Sequence, residues 1–472
     1  MFAQGVEWGN PQKIKQKNMF SQIVGECNTG IYVLRCKNSD FMSDVIIEKY
    51  KSNLTLELSV PAPISIYGNI ERVLIVNNEL HAFISAKNTQ TGTIDLLDQK
   101  IDAGLKAVGL PNVICSFPAG QFLEKRKIQI KTSANKNRVL IMFLTKSTQT
   151  GECKLNLYGY NDQVQQQFGK QFTLNQTPED VFITNFEMDN TGNAFVLLDF
   201  PAKENTSKAD KRDFYLYAFY PSEDKMLAYD LGNKDIFIEE LGMCVNNFNQ
   251  TVSVLGFYSN DGENVVNGYF MERYSIPKHS TEEKFATALD PSVMQKVTGG
   301  KIENRNPDLR NYYIRKIIPR SDGGVFLVAE KYVRIEQRFN YYLNNMPQEG
   351  VRVTYNYDDV ALFSINSDGS LHFGDLLRKR QSSVGDGGYL SGVATLPTQD
   401  NIYVLYNSEL DKDGNVMVHN VNYQGKSDEK IAIKSSNFSV SLVPSETKQC
   451  GPSSLLATTI RDKQFCLMRI TF

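Results

Sequence analysis

Histidine is scarce in this chain: four in 472 residues, at His81, His279, His372 and His419, spread far apart along the sequence. No H-E-x-x-H, G-x-S-x-G or G-x-x-x-x-G-K stretch occurs. The usual signatures of a zinc protease, a nucleophile elbow and a phosphate-binding loop are therefore missing. No charge of one sign dominates, with 51 basic against 53 acidic residues and a net charge of -2. A nucleic-acid binder that relies on a basic face would need a surplus of cations. No run of about 18 apolar residues is present, the length a helix needs to cross a bilayer. The seven cysteines, at 27, 36, 115, 153, 244, 450 and 466, are scattered, odd in number and never spaced C-x-x-C. That pattern is neither a disulfide framework nor a zinc site. Neighbours such as Phe465 and Leu467 around Cys466 point to buried free thiols.

Helical periodicity is also sparse, and what replaces it is regular. Short β-branched and aromatic runs recur, among them 31–34, 139–143, 195–198 and 325–328. Between them stand turns such as Asn190-Thr191-Gly192-Asn193, Ser321-Asp322-Gly323-Gly324 and Ser367-Asp368-Gly369-Ser370. These supply the positive-φ positions that hairpins require. Taken in fours, the strands form a repeat whose apolar second strands begin near Ile31, Leu80, Val139, Ala194, Thr251, Val325, Ile402 and Ser453. Eight groups divide 472 residues into 59 each, longer than common propeller repeats and so carrying longer loops. The expected fold is an all-β, closed β-propeller of eight four-stranded blades in one domain spanning 1–472. Seven blades is the alternative if the poorly patterned second group, around Gly68 to Val108, is false.

The last group stops one strand short, after 438–443, 453–457 and 465–470, while Val6 to Ile14 is an orphan strand at the other end. Pairing of the two would seal the ring and cover both edges. Two insertions break the rhythm. One, at about 290–311, opens with Asp290-Pro291-Ser292 and reaches Gly299, which predicts a short helix. The other, 332–358, lengthens the sixth blade between its second and third strands.

The second insertion holds Arg334, Arg338, Tyr341, Tyr342, Arg352, Tyr355 and Tyr357. Arg and Tyr combine contact area with a polar handle and are prominent at interfaces. They are candidate binding residues for a protein segment or glycan; the alternative is a long hairpin whose aromatics cover its own blade. Lys379 and Arg380, beside the Gly385-Asp386-Gly387-Gly388 loop, are candidates for an anion site. An outer strand kept soluble by charge is the more frequent reading of such a run. Asp411-Lys412-Asp413-Gly414-Asn415 starts like a calcium loop, but position twelve is Asn422 where a Glu is needed. Adjacent acids such as Glu239-Glu240 and Asp358-Asp359 face opposite sides of a strand and form no dyad by themselves. No catalytic residue, metal ligand or cofactor is assigned.

The sixth and seventh blades resemble those of exported propeller proteins of Bacteroidota. The matching residues are Gly323-Gly324-Val325-Phe326-Leu327-Val328-Ala329-Glu330, Tyr355-Asn356-Tyr357-Asp358-Asp359-Val360, and Lys379-Arg380-Gln381 with Asp386-Gly387-Gly388. The resemblance extends over roughly a quarter of the chain. Those proteins are mostly uncharacterised, so the resemblance implies a cell-envelope location, periplasmic or secreted, and no activity. The start Met1-Phe2-Ala3-Gln4-Gly5 is similar to the cleavage end of an export signal, with an ordinary cytosolic start as the alternative. The seven thiols weigh against an oxidising compartment. The functional expectation is a non-enzymatic binding or scaffold propeller of the bacterial envelope, engaging a protein or glycan. The alternative is a glycan-active hydrolase or lyase using carboxylates gathered at the central channel.

Overall fold

Runs of Val, Ile, Leu and aromatics flanked by Gly, Asn and Asp turns leave the backbone few options besides antiparallel strands. A computed structural model of the chain describes residues 5–15, 19–63, 68–123, 127–201, 212–232, 236–260, 265–298, 309–343, 346–410, 414–435, 440–461 and 464–472. Asp411 to Asp413 of the calcium-like stretch, Phe438 and Ser439 of the last group, and Met1 to Gln4 lie outside the described residues.

The strands form eight four-stranded antiparallel sheets, two of them with a fifth, short strand. The fold is an eight-bladed β-propeller. The eight second strands are Gly30–Cys36, Glu79–Asn88, Val139–Lys146, Ala194–Pro201, Thr251–Ser259, Val325–Leu343, Asn401–Asn407 and Ser454–Arg461. Each begins within one residue of its sequence-expected start. The doubtful second blade is complete, with its fourth strand at Asn112–Pro118, so the seven-bladed alternative falls away.

The chain divides into two compact units, residues 15–255 with 271–284, and residues 1–14, 256–270 and 285–472. In the first, the sheets of blades one to four bury apolar faces against each other. Ile47, Val73 and Ala82 belong to one cluster, Phe83, Phe143 and Ile130 to the next, and Leu155, Val196 and Phe219 to the third. In the other unit, Val328, Leu362 and Val404 join blades six and seven, and Leu405, Leu455 and Met468 join seven and eight. Second strands are the most buried, as expected of a strand covered on both faces; Val139 to Leu144 have no accessible surface.

The eighth blade is completed by the N-terminus. Gly5–Trp8 pairs with Thr471 to Met468, and Gln12–Lys13 with Phe465 and Gln464. The Gly9 N–H donates to the Leu467 carbonyl at 2.8 Å, and the Cys466 thiol donates to the Gly9 carbonyl at 3.0 Å. Val6 and Trp8 pack on the core shared by blades seven and eight. All seven cysteines are free thiols, five of them buried.

The helix expected after Asp290 is Pro291–Thr298, its first turn held by Asp290 Oδ1 accepting from the Ser292 N–H at 2.8 Å. One regularity had no signal in the sequence. First strands of blades one, two, four and six each carry a bulge, at Val24, Glu71, Thr184 and Arg315. A bulge re-aims one side chain without ending the ladder. In the sixth blade that side chain is Arg315.

Candidate functional site: a β-hairpin arm and its buried base

The second and third strands of the sixth blade, Val325–Leu343 and Met346–Ile365, run far past their neighbours. Within the blade, Val325 to Glu330 pair with Ile365 to Val360. Past a bulge between Glu330 and Tyr332 the two strands continue as an arm, from Tyr332↔Tyr357 to Leu343↔Met346. Those twelve pairs project about 40 Å at ~3.3 Å per residue. A short strand, Gln381–Val384, widens the base by pairing with Tyr357 to Thr354. Beyond it the arm is two-stranded.

Opposed residues share a face, and faces alternate along a strand. One face of the arm therefore carries Arg334, Arg338, Tyr342, Tyr355 and Tyr357; the other carries Tyr341 and Arg352, with Ile335 and Phe339. The insertion is thus two surfaces rather than the single cluster its composition suggests. The side chains of Ile335, Phe339, Tyr341, Tyr342, Met346 and Val351 are all exposed, Tyr342 at 77% and Phe339 at 48%. Phe339 lies against Tyr341, ring centroids 5.9 Å apart, and covers Gly350, where an added Cβ would meet its Cζ at 2.6 Å. Arg334 forms an ion pair with Glu336. Arg338 and Arg352 have no charged partner among the described residues.

The base is built differently. Glu330, whose side chain is 1% exposed, lies between two cations. Arg315, the bulged residue, donates through Nε to Glu330 Oε2 at 2.8 Å, and Lys379 Nζ stands 2.8 Å from Glu330 Oε1. Lys379 also donates to the Tyr357 carbonyl at 3.0 Å and to Gln381 Oε1 at 3.1 Å. Burial pushes the Lys379 ammonium below the usual lysine range, against the pull of Glu330. Gln381 continues the chain of contacts: its Nε2 donates to the Asn407 carbonyl at 2.7 Å, and Asn407 Nδ2 donates to the carbonyls of Leu390 and Leu442. Above the ions, Arg315 lies 5.4 Å from the ring centroids of both Tyr332 and Tyr357.

Lys379 and Arg380 therefore part company. The run 378–380 alternates exposed, buried, exposed, so Arg380 faces solvent while Lys379 is committed inside. Lys379 does not line a solvent-facing anion site, because its side chain is buried and paired with Glu330. Nor is the adjacent glycine loop an open cradle: Asp386 Oδ1 accepts from the Gly388 N–H at 2.9 Å and from the Ser383 hydroxyl at 2.6 Å. Gly388, at φ +75°, instead seats Tyr357, and an added Cβ there would meet the Tyr357 ring at 2.5 Å. Sequence reading missed Glu330 as the partner of Lys379, and Arg315 as the second cation on Glu330. The only available signal was a charged residue, Glu330, ending an otherwise apolar strand.

His81 lies 2.9 Å from Asp98 and His419 2.9 Å from Asp375, both pairs buried. His279 lies tilted against Tyr220, ring centroids 3.9 Å apart, and faces Glu223 at 3.3 Å; the His372 ring lies 5.2 Å from that of Phe373. A cleft of about 290 Å³ in the unit holding blades one to four is lined by Asp189, Tyr220, Glu223, Asn247 and His279 among others. Its buried acid is not available for chemistry. Asp189 Oδ1 accepts from the N–H groups of Thr191, Gly192 and Asn193 and from the Thr191 hydroxyl, and Oδ2 from Asn193 Nδ2. Among the described residues no group of three or more His, Cys, Asp and Glu is arranged to hold a metal ion.

Comparison of the sequence with described protein families gives no match. Comparison with curated proteins gives none either. Solved structures do match, propellers among them. A Dos1 propeller is 9% identical with a TM-score of 0.45, covering 99% of this chain and 95% of that one. The WD40 domain of SCAP from fission yeast is 7% identical with a TM-score of 0.41, covering 99% and 94%. The β-propeller domain of the Trilobed protease from Pyrococcus furiosus is 7% identical with a TM-score of 0.36, covering 89% and 98%.

Proposed function

We propose that this chain is a non-enzymatic binding propeller whose sixth blade presents the β-hairpin arm to a protein partner. One observation carries this: the hairpin arm leaves Ile335, Phe339, Tyr341, Tyr342, Met346 and Val351 in water on a stem anchored by a buried ion cluster. Isolated two-stranded hairpins are marginal in water, and exposed aromatic and aliphatic groups on one mark a contact surface. Tyr and Arg supply the area and polar handles typical of interface centres. A protein partner is favoured over a glycan because one face carries Ile335, Phe339, Tyr341 and Met346 while the other carries Arg334, Glu336 and Arg338, so apolar area and charge are offered together. A cell-envelope location, which the sequence resemblance implies, belongs to the same proposal.

The test is the triple variant Tyr341→Ala, Tyr342→Ala, Tyr355→Ala. Since Tyr341 and Tyr342 are exposed, its melting temperature should stay close to wild type. Partner binding, measured by cross-linking through the arm and by titration of the partner so identified, should weaken at least about thirtyfold if one of these rings is a hot spot. A variant that melts early yet binds normally would make the arm a cover for its own blade and end this assignment.

A further inference from the structure

The direction of the backbone groups along the arm can be read from two hydrogen bonds. The Tyr332 N–H donates outward to the Asn311 carbonyl at 2.9 Å, and the Val353 carbonyl accepts from the Gly385 N–H at 3.0 Å, also outward. A residue's N–H and C=O point to one side of a strand, and the side alternates. On the outgoing strand, Arg334, Glu336, Arg338, Asn340 and Tyr342 therefore turn their backbone groups away from the returning strand. Among the described residues these groups have no backbone partner. On the returning strand the corresponding residues are Val351, Glu349 and Pro347, and the proline has no N–H to give. One edge of the arm is thus blunted and the other is an open template for a further strand.

That open edge is complementary to itself. We propose that the partner of the arm is a second copy of this chain, whose outgoing strand adds antiparallel to the same edge across a two-fold axis; this rests on the arm being a protein-binding element. The axis passes Gln337. Glu336 then lies opposite Arg338 of the second copy, and Arg338 opposite its Glu336, so the cation that lacks a charged partner in the single chain gains one twice over. Arg334 faces Asn340. On the other face Ile335 lies opposite Phe339, again twice, which joins side chains that are 43% and 48% exposed in the single chain. Moving the axis by one residue either way sets Glu336 against Glu336 or Arg338 against Arg338, and like charges directly opposed are unfavourable. The charge order and the apolar order select the same register, and the two arms become one four-stranded sheet. An interface of this kind is isologous and closes at the dimer.

Sedimentation velocity on the full-length chain, from about 1 to 100 μM, tests this. A concentration-dependent monomer–dimer equilibrium is expected. Arg338→Pro removes an outward N–H and no ladder bond of the arm; it should weaken the dimer at least about tenfold with an unchanged melting temperature. Glu336→Arg should weaken it by opposing cations, and Glu336→Arg with Arg338→Glu should recover it. Should Arg338→Pro perturb the fold, the charge pair alone decides. A wild-type chain that is monomeric throughout, or a dimer indifferent to these changes, overturns self-association. If that monomer still captures another protein through Tyr341, Tyr342 and Tyr355, the binding arm stands with a different occupant; if it captures none, both fall.

Discussion

The two halves of the sixth-blade hairpin share their strands and their ladder, yet they live in different solvents. From Val325 to Glu330, paired with Val360 to Ile365, every residue is buried. From Arg334 to Tyr342 on the same strand, every residue is exposed. Pairing is equally regular in both, so hydrogen bonding is not what separates them. The inner half is held by sheets packed on either face, the outer half by pairing and a few cross-strand contacts. A ladder without cover is marginal by itself, which is why the outer half reads as a surface awaiting a partner and the inner half as scaffold.

Four changes break or sharpen that contrast. The largest effect is expected from Glu330→Ala, which leaves the buried Lys379 ammonium without its counter-ion. Removing one partner of a buried pair destabilises by about 3–5 kcal/mol, and denaturant unfolding at neutral pH should show a loss of that size. Next is deletion of residues 1–14, which turns the covered Gln464–Thr471 edge into an open one like the arm's. Losing the packing of Val6 and Trp8 should lower stability by up to about 3 kcal/mol, with aggregation on heating followed by light scattering. A melting transition identical to wild type would count against the pairing of the two termini. Third is Gly388→Ala. A left-handed backbone and a ring 2.5 Å from the new methyl should reduce stability by about 1–3 kcal/mol, visible as a lower melting temperature, and Tyr357→Ala in the same chain should relieve part of it. The smallest effect is expected at the arm's surface: Phe339→Ala should shift the unfolding free energy by no more than about 0.5 kcal/mol. A larger shift would mean that Phe339, through Gly350 and Tyr341, holds the arm as a core residue would.

Much of this architecture could be read from single strands. Val139 to Phe143 and Phe195 to Leu198 are apolar without interruption because second strands are covered on both faces. The hairpin at Ser321 to Gly324 was legible because Gly323 sits at φ +87° and Asp322 Oδ1 accepts the Gly324 N–H at 3.0 Å. These are local signals within a few residues of each other. The candidate site was legible only in composition. Arg and Tyr enrichment located the arm, but the same residues divide between two faces, and the run at Lys379 and Arg380 divides between core and solvent.

The sequence by itself marked the repeat of apolar second strands, the N-terminal strand that completes the eighth blade, and the place of the arm. Each is written in the period of apolar residues and in turn chemistry, which act over short distances along the chain. Tertiary structure alone decided that Arg315, Glu330 and Lys379, drawn from three different segments, meet at the base of the arm. It also decided which edge of the ribbon is left open. Charge pairing in a buried site depends on distance in space, and edge exposure depends on which neighbouring strand stops first; neither leaves a mark on the residues of one strand.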